Sequence, residues 1–529
     1  MKTLKRILFL ILTLSLLISL CSCGKEKNEV IVSDVPIIEA SLDAETDGSS
    51  PSAGHSAFIL RFFPSSSLNP ITCTDRYNDV ITSLIYEGLF RLDKHFRPEK
   101  VLCDSYTTED GKQFFFSLIS ATMHDGSALT ATDAAYSINL ARSTTRYSSR
   151  LSNIKFCGVT EDGLLEIDLE TSDYSLPALL DIPIIEYGTG NDYSPVGTGP
   201  YVYNETGNYH HLSAFSQHRS YETLPYNAVY LRSIADGELV ENFDEGQLSL
   251  LWDDAIDDTP VNLYATHENR RYDTSILQYI GFSSSSTPMN DINLRRAVAC
   301  CIDRDHIVKD IYGGNVRSAP LILNSGYYAY SELWESAWNY SMKDIKRHLD
   351  ASELLDTNGD GYLEYPVFGE YQPMFITFVV YSGNSQKVAI ARDIAQKLRS
   401  AGLYIDLEEL DWADYLKTVQ GGYFDLYLAE TSLPQNFDFT PLLSPGGKLD
   451  YGEMGTSSNS TLCHAFLDAV TDEEKLAAAK ELCTTITDKV TIIPLVYRQY
   501  NVYTHRGAIS DFTPTISGIF SNITEWKIN

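Results

Sequence analysis

The sequence lacks the short motifs that mark the common enzyme classes. Its 529 residues contain no G-x-S-x-G nucleophile elbow, no H-E-x-x-H zinc motif and no phosphate-binding P-loop. The eleven histidines are scattered without the spacing of metal ligands. Carboxylates are abundant in an acidic chain, so pairs of them indicate little by themselves. We therefore expect neither an enzyme nor a bound cofactor or metal.

Basic residues are also scarce. The chain has 40 Lys and Arg against 71 Asp and Glu, which gives a formal net charge of −31. A nucleic-acid-binding surface needs clustered cations to neutralise phosphates, so we exclude nucleic acid as a partner. An acidic cleft would favour cationic or amine-bearing solutes, although an acidic exterior mainly serves solubility.

The cysteines do not form a recognisable framework. Beyond the first 23 residues there are seven, an odd number without C-x-x-C spacing, and this pattern predicts neither a zinc site nor a set of disulfides. Cys300 and Cys301 fall within a helical pattern, which is typical of small core residues.

The N-terminus differs from the rest of the chain. Lys2, Lys5 and Arg6 precede an apolar run over residues 7–20, and small residues follow. This order predicts a secretory signal over residues 1–22. The run would cover roughly 21 Å as a helix, short of the ~30 Å hydrocarbon core, so a retained transmembrane helix is the weaker alternative.

The end of the apolar run resembles the bacterial lipobox. In Leu20-Cys21-Ser22-Cys23-Gly24 the thiol of Cys23 is placed for lipidation, and the alternative is a plain cleavage site. Residues 23–56 are rich in Glu, Asp, Ser and Gly and predict a flexible tether. Removal of the signal would take the net charge from −31 to about −34. We therefore expect a protein that is lipid-anchored on the outer face of the membrane.

From residue 57 the pattern is that of a mixed α/β protein. The sequence predicts a strand over 374–381, a helix over 386–401 and a second strand over 403–410. A helix over 412–420 and a third strand over 424–429 follow. Crossover helices of this kind favour a sheet that is parallel or mostly so.

Ligands of open α/β sheets collect at the carboxyl ends of the strands. This rule indicates the loop 381–385, with Tyr381 at its start and Gln386 just after it, and the loop 430–438. The acidic loop 356–361 has the opening of an EF-hand, but its twelfth position is Val367 where a bidentate Glu is needed. A plain solvated turn is the favoured interpretation of that loop, and calcium binding stays open.

Several blocks together resemble the family-five extracellular solute-binding proteins of bacteria. The blocks occur in the family's order and are Asn69-Pro70, IYEGLFRLD at 85–93, HDGS with LTATDAAYS at 124–137, GTGPY at 197–201, residues 293–303 and Gly313-Gly314. The family's ligands are peptides, nickel complexes and some oligosaccharides. The resemblance spans nearly all of residues 57–505.

The resemblance implies a fold and its domain boundaries. The expected fold is α/β, two-lobed like the periplasmic binding proteins, with mixed sheets and an inserted third α+β domain. The first lobe would comprise 57–85, 195–275 and 497–529, the inserted domain 86–194, and the second lobe 276–496. Hinges near residues 275 and 496 follow from this division.

The resemblance also implies a function. A monomer would capture a peptide by closing its lobes and deliver it to an ABC permease and ATPase complex. Peptide-binding members carry a Trp where this chain has Trp412, whose alternative role is that of a core aromatic. Delivery of nickel chelates or oligosaccharides, and peptide sensing, stay open as alternatives.

The family's acidic partner for the peptide ammonium is missing from its usual place. Alignment on Leu442-Leu443 puts Gln435 there, and the nearest carboxylates are Asp438, which we favour slightly, and Glu430. Nickel normally needs imidazole, and we expect His464 and His505 to lie on the surface away from the cleft.

Overall fold

The structure is a computed structural model that describes residues 57–254, 261–334, 338–352 and 354–528. The predicted signal, tether and lipidation site at Cys23 therefore lie outside the described residues. None of the helices in the described ranges has both the length and the hydropathy needed to cross a bilayer.

The strands are numbered in chain order. They are β1 (Phe58–Arg61), β2 (Phe90–Leu92), β3 (Pro98–Lys100), β4 (Cys103–Thr107), β5 (Gln113–Leu118), β6 (Ile154–Val159), β7 (Leu165–Leu169), β8 (Tyr201–Thr206), β9 (Tyr209–Ala214), β10 (Ala228–Arg232) and β11 (Leu250–Asp253). They continue with β12 (His267–Phe282), β13 (Val316–Ser318), β14 (Glu364–Val367), β15 (Glu370–Pro373), β16 (Phe375–Tyr381), β17 (Tyr404–Leu410), β18 (Leu426–Ser432), β19 (Ile492–His505), β20 (Ile509–Ser510) and β21 (Lys527–Ile528).

The helices are numbered in the same way. They are α1 (Arg76–Ile85), α2 (Ala131–Arg142), α3 (Leu239–Asp244), α4 (Thr287–Asn290), α5 (Ile292–Ala299), α6 (Arg304–His306), α7 (Met342–Ala351), α8 (Ser385–Ser400), α9 (Trp412–Gln420), α10 (Thr440–Leu443), α11 (Ser457–Asp468) and α12 (Asp472–Lys489). Single 3-10 or π turns lie at Leu176–Leu179, Tyr221–Thr223, Asp236–Glu238, Ile307–Ile311, Glu332–Trp334 and Ile523–Glu525.

Three sheets carry the architecture. One has the order β1-β10-β9-β8, a second has the order β4-β5-β7-β6, and a seven-stranded sheet has the order β11-β19-β12-β18-β16-β17 with β13 also on β19. In the last sheet β16 pairs in parallel with β17 and β18, whereas β12 pairs antiparallel with β18 and β19. The predicted parallel unit is therefore present within a mixed sheet.

Two long strands run through the places where we expected hinges. The strands β12, of 16 residues, and β19, of 14 residues, pair with each other along most of their length. Their register shifts between Asp273 and Leu277 and again between Gln278 and Tyr279. Such irregularities bend a strand locally. The crossing is thus a strand pair with a bulge near residue 275, and the domain boundaries remain a prediction.

The third predicted strand is longer than we expected. We ended it at residue 429, but β18 runs to Ser432 because Glu430, Thr431 and Ser432 pair with Gln278, Leu277 and Ile276. Polar side chains are tolerated at the end of β18 because the backbone pairing with β12 continues through these residues. Glu430 is therefore a strand residue, and the prediction that it belongs to a loop was wrong.

Two blocks of the family pattern are in contact. The amide of Gly199 donates to the carbonyl of Ile85 at 2.9 Å. A Cβ on Gly199 would lie 2.4 Å from the Ile85 carbonyl carbon, and one on Gly197 would lie 2.5 Å from the Tyr86 ring. Only glycine permits this approach of the two backbones. The GTGPY turn therefore fixes the end of α1 against β8.

Candidate functional site

A cavity of about 1390 Å³ lies where α1, the loop 146–153 and the segment after β7 face the loop after β18. The C-terminal segment 516–524 closes another side. Two sequence-predicted site residues, Asp438 and Gln435, line this cavity. Its volume exceeds the ~300–1,000 Å³ of a usual small-molecule pocket, so the space suits an extended ligand.

One wall consists of carboxylates that already have guanidinium partners. Asp79 accepts from Arg146 at 2.7 and 2.8 Å, and Arg150 pairs with Asp181. Charge-assisted pairs of this kind occupy the carboxylate oxygens. A ligand ammonium could use them only by displacing an arginine.

Glu87 on the same wall is also paired. It accepts from Arg219 at 2.9 and 2.5 Å and lies 3.4 Å from the Nε2 atom of His218. Burial would raise the pKa of Glu87, but the hydrogen bonds from His218 and Arg219 outweigh it and lower the pKa. Glu87 is therefore an ionised carboxylate whose charge is already balanced.

The loop after β18 is held in one conformation. Ser275 donates its hydroxyl to the Leu433 carbonyl at 2.6 Å, and the Phe437 amide donates to the Pro434 carbonyl at 2.9 Å. Phe437 has a positive φ of 56°, an uncommon conformation for a bulky residue. Its buried ring packs 5.0 Å from Phe96 and 5.1 Å from Tyr327, centroid to centroid. This packing holds the backbone that presents Gln435 and Asp438.

Asp438 has one carboxylate oxygen available to a ligand. Its Oδ1 atom accepts from the Thr440 amide at 2.8 Å and from the Thr440 hydroxyl. Within the described part of the chain its Oδ2 atom has no hydrogen-bond partner, and no cation pairs with the side chain. The residue is half-buried on the cavity wall.

A second carboxylate, Asp173, is near Asp438 and comes from the segment after β7. It accepts from the side-chain amide of Asn436 at 2.8 Å and from the backbone amide of Ser175 at 2.8 Å. Burial, together with the charge of Asp438, raises the pKa of Asp173 to about 6 against the opposing effects of the Ser175 hydrogen bond and of Lys475. A cation placed between the two carboxylates would relieve this repulsion.

Two further polar atoms at the cavity are unsatisfied. The Gln435 Oε1 and Ser444 Oγ atoms are buried, and neither has a hydrogen-bond partner among the described residues. An unpaired buried polar atom costs about 1–3 kcal/mol. A ligand with N–H or O–H donors would supply the missing bonds.

Glu430 lies in a different environment. Gln278 donates to it at 2.7 Å, and it lies 3.5 Å from the Lys387 ammonium and 3.7 Å from the Arg498 guanidinium. Tyr312 donates in turn to Gln278 at 2.7 Å. Glu430 is outside the cavity lining and already faces two cations.

The remaining predicted residues form a group at the end of β16, outside the cavity lining. The Trp412 ring lies 5.3 Å from Tyr381 and 5.9 Å from Tyr415, and 57% of Trp412 is exposed. Gln386 is the second residue of α8, beside Lys387, and its buried Oε1 atom has no partner in the described ranges. Strand order therefore brought these residues together but not onto the cavity.

The histidine prediction needs correction. His464 lines the cavity, because α11 packs behind the loop after β18. His505 is half-buried and stacks on Phe243 with 4.4 Å between ring centroids. Both were expected on the surface away from the cleft. Residues of α11 carry no periodic signal that separates a cavity wall from an outer face.

The acidic turn at 356–364 can bring ligand atoms of Asp356, Asp360 and Glu364 within 4.8 Å of one another. Asp356 already accepts from the amides of Gly359 and Gly361, and Glu364 accepts from Thr357. The carboxylates thus serve the turn itself, as the interpretation of a plain turn expects, and calcium binding stays an open alternative.

The sequence profile of the bacterial extracellular solute-binding proteins, family 5 (middle region), matches residues 97–448. The chain therefore belongs to this family of ABC-transporter substrate-binding proteins, and its place is outside the cytoplasm. Its relatives are named as transport proteins and not as enzymes. The oligopeptide-binding protein AppA of Bacillus subtilis (strain 168) is 22% identical over 473 residues, which cover 84% of this chain and 80% of AppA.

Solved structures share the fold. AppA from Bacillus subtilis, in complex with a nonapeptide, has a TM-score of 0.62 at 18% identity and covers 90% of this chain and 99% of its own. The nickel ABC transporter protein from Bacillus halodurans has a TM-score of 0.72 at 16% identity, with coverage of 89% and 99%. At these identities the likeness shows the fold alone. It confirms the predicted two-lobed α/β architecture with mixed sheets and an inserted domain.

Proposed function

We propose that this chain is a peptide-capturing, lipid-anchored subunit of a bacterial ABC importer. A peptide enters the 1390 Å³ cavity, the lobes close over it, and the closed form delivers it to the membrane permease and its ATPase. The observation that carries the proposal is the Oδ2 atom of Asp438, a carboxylate oxygen without a partner among the described residues on the cavity wall.

A peptide ammonium suits this position. Asp79, Glu87 and Asp181 are each balanced by arginine, whereas Asp438 has no cationic partner in the described chain. Asp173 adds a second negative charge near Asp438. A buried ammonium is stable only when it is paired and hydrogen-bonded, and Asp438 offers both a negative charge and an acceptor oxygen.

Amide recognition supports the same ligand class. The unpartnered Gln435 Oε1 atom is an acceptor for a peptide N–H, and the Ser444 hydroxyl is a donor or acceptor for the backbone. Such groups bind the main chain whatever the side chains are. The relative AppA is named as an oligopeptide-binding protein, in agreement with this ligand class.

Uptake of a nickel chelate is the second candidate, because His464 and His218 line the cavity. His218 is engaged with Glu87, however. In the described ranges the metal-like cluster of three side chains is the turn at Asp356, which is not among the residues lining the cavity. A nickel complex would therefore need a chelator to supply most of its ligands.

A direct binding experiment distinguishes these candidates. Mature protein would be purified under mild conditions, its retained solute identified by mass spectrometry, and the emptied protein titrated with pooled oligopeptides, nickel–histidine and oligosaccharides. The proposal expects retained peptides and saturable binding of the peptide pool. Saturable binding of only the chelate or the sugar would reject peptide capture and leave the importer assignment intact.

The anchor is tested at Cys23. The Cys23→Ala protein should move from the detergent phase to the medium, because no acyl chains hold it to the membrane. Cys21→Ala is the matched control, since it removes a thiol two residues earlier and should leave partitioning unchanged. Detergent-phase Cys23→Ala protein would contradict lipidation at this residue.

A further inference from the structure

A second cavity, of about 790 Å³, adjoins the first and has a different charge. Tyr272 and Ile516 line both cavities. The second one is formed by the β2–β3 turn, the crossing strands, the segment 325–328 and the C-terminal segment 512–516. We call it the basic groove, and its cationic residues are Lys94, Arg97, Arg270, Arg271 and Arg317.

The groove reverses the charge balance of the chain. Its lining has five Lys or Arg and two Asp, Asp93 and Asp273, whereas the whole chain has 40 Lys and Arg against 71 Asp and Glu. Neighbouring cations in an acidic protein repel one another unless an anion lies between them. Cations of the groove that have no carboxylate partner would therefore indicate a place for a negative ligand.

Three of the guanidinium groups have carboxylate partners that orient them. Arg97 pairs with Asp472 at 3.0 Å and lies over the Tyr328 ring, 4.1 Å from its centroid. Arg317 pairs with Asp273 at 2.8 Å. Arg270 pairs with Glu268 at 2.6 Å. These contacts hold the side chains without using all of their donors.

Two cations of the groove lack such a partner. Arg271 donates to the Asn501 side chain at 3.2 Å and to the Gly314 carbonyl at 2.6 Å, and both acceptors are neutral. Lys94 is exposed, and within the described ranges no carboxylate lies within salt-bridge distance of it or of Arg271. Asp93 is next to Lys94 in the chain, and its Oδ1 atom accepts from the amides of its own turn, those of His95 and Arg97.

We propose that the basic groove binds a small polyanion with phosphate or carboxylate groups. Guanidinium groups match the planar oxygen pairs of such anions, and the groove has room for more than one oxyanion group. The ligand would bridge the β2–β3 turn, through Lys94, and the crossing strand, through Arg271. It would therefore favour the arrangement in which these elements lie together.

The test is calorimetric titration of the mature protein with pyrophosphate and with citrate at low ionic strength. The parent should bind with saturation, and the double variant Lys94→Gln, Arg271→Gln should bind about tenfold more weakly. The matched control is Lys309→Gln, Arg392→Gln, which removes the same charge from exposed surface pairs with Asp305 and Glu409. The control should bind like the parent.

The outcomes separate a site from general charge attraction. No saturable binding by the parent, or equal weakening by both double variants, would overturn the proposal. Competition with peptides distinguishes two ligands of the groove, the carboxylate of a bound peptide and a separate anion. If peptides with a free C-terminus displace pyrophosphate and their amides do not, the groove holds a cargo carboxylate; if neither displaces it, the groove holds a separate anion.

Discussion

Glu430 and Asp438 lie eight residues apart. Glu430 is near the end of strand β18, and Asp438 is in the loop that follows it. Glu430 faces Gln278, Lys387 and Arg498, so its charge is already balanced. The Asp438 carboxylate accepts from Thr440 through one oxygen, and its other oxygen has no partner among the described residues. Nearness to the carboxyl edge of a sheet therefore does not decide availability, whereas the neighbouring cations do.

The difference between balanced and unpaired carboxylates predicts which residues contribute to stability and which contribute to ligand recognition. A carboxylate that balances buried cations contributes to folding, and its removal leaves those cations exposed to one another. A carboxylate without a partner contributes little to folding and is available to a ligand. Substitutions in the two groups should thus change different measured quantities.

The largest effect on stability is expected at Lys475, whose charge lowers the pKa of the nearby buried Asp173. Lys475 is 2% exposed and donates to the Ser175 hydroxyl at 2.7 Å. Lys475→Met should lower the free energy of unfolding by about 3 kcal/mol, because Asp173 stays buried without its cation. Chemical denaturation measures this, with the exposed Lys480→Met on the same helix as control. Equal free energies of unfolding of Lys475→Met and Lys480→Met would contradict a stabilising role of Lys475.

A smaller effect is expected on the pH dependence of the free energy of unfolding. Burial, with the smaller effect of Asp438, raises the pKa of Asp173 to about 6, whereas an unfolded Asp titrates near 4. Between these values the native state binds more protons, so the free energy of unfolding should fall on the order of 2 kcal/mol from pH 4 to pH 6. Asp173→Asn should flatten that slope, and exposed Asp350→Asn should keep it. An unchanged slope in Asp173→Asn would show that another group titrates there.

The smallest effect is expected for Glu430→Gln. The glutamine keeps the shape but leaves Lys387 and Arg498 without a counter-charge, at a cost of about 1–2 kcal/mol because Glu430 is partly exposed. Thermal unfolding should register this loss. The preference for free over N-acetylated peptides should not change, and a lost preference would make Glu430 the ammonium partner instead.

Local patterns predicted the elements better than the site. The helix over 412–420 has the predicted bounds, because Asp411 caps it and its apolar residues recur at helical spacing. The end of β18 was missed because Glu430 and its neighbours look like a loop until their partners on β12 are known. Local sequence does not contain that pairing.

The candidate site combines near and distant residues. Asp438 and Gln435 were predictable from the loop after β18, but Ser175 and Lys475 are 300 residues apart and bond only in the folded chain. His464 was missed for the same reason. The spacing of residues along the sequence does not predict a contact that is made by tertiary packing.

The most direct measurement is a double-mutant cycle in which Asp438→Asn is combined with N-acetylation of one peptide. Calorimetry would give four affinities, with Asp350→Asn as the control for an altered net charge. If Asp438 pairs with the ammonium, the parent should bind the free peptide roughly 10² to 10³ times more tightly than the acetylated one, and Asp438→Asn should lose most of that ratio. An equal ratio in the parent and in Asp438→Asn would contradict the account, because the ammonium would then be recognised elsewhere or not at all.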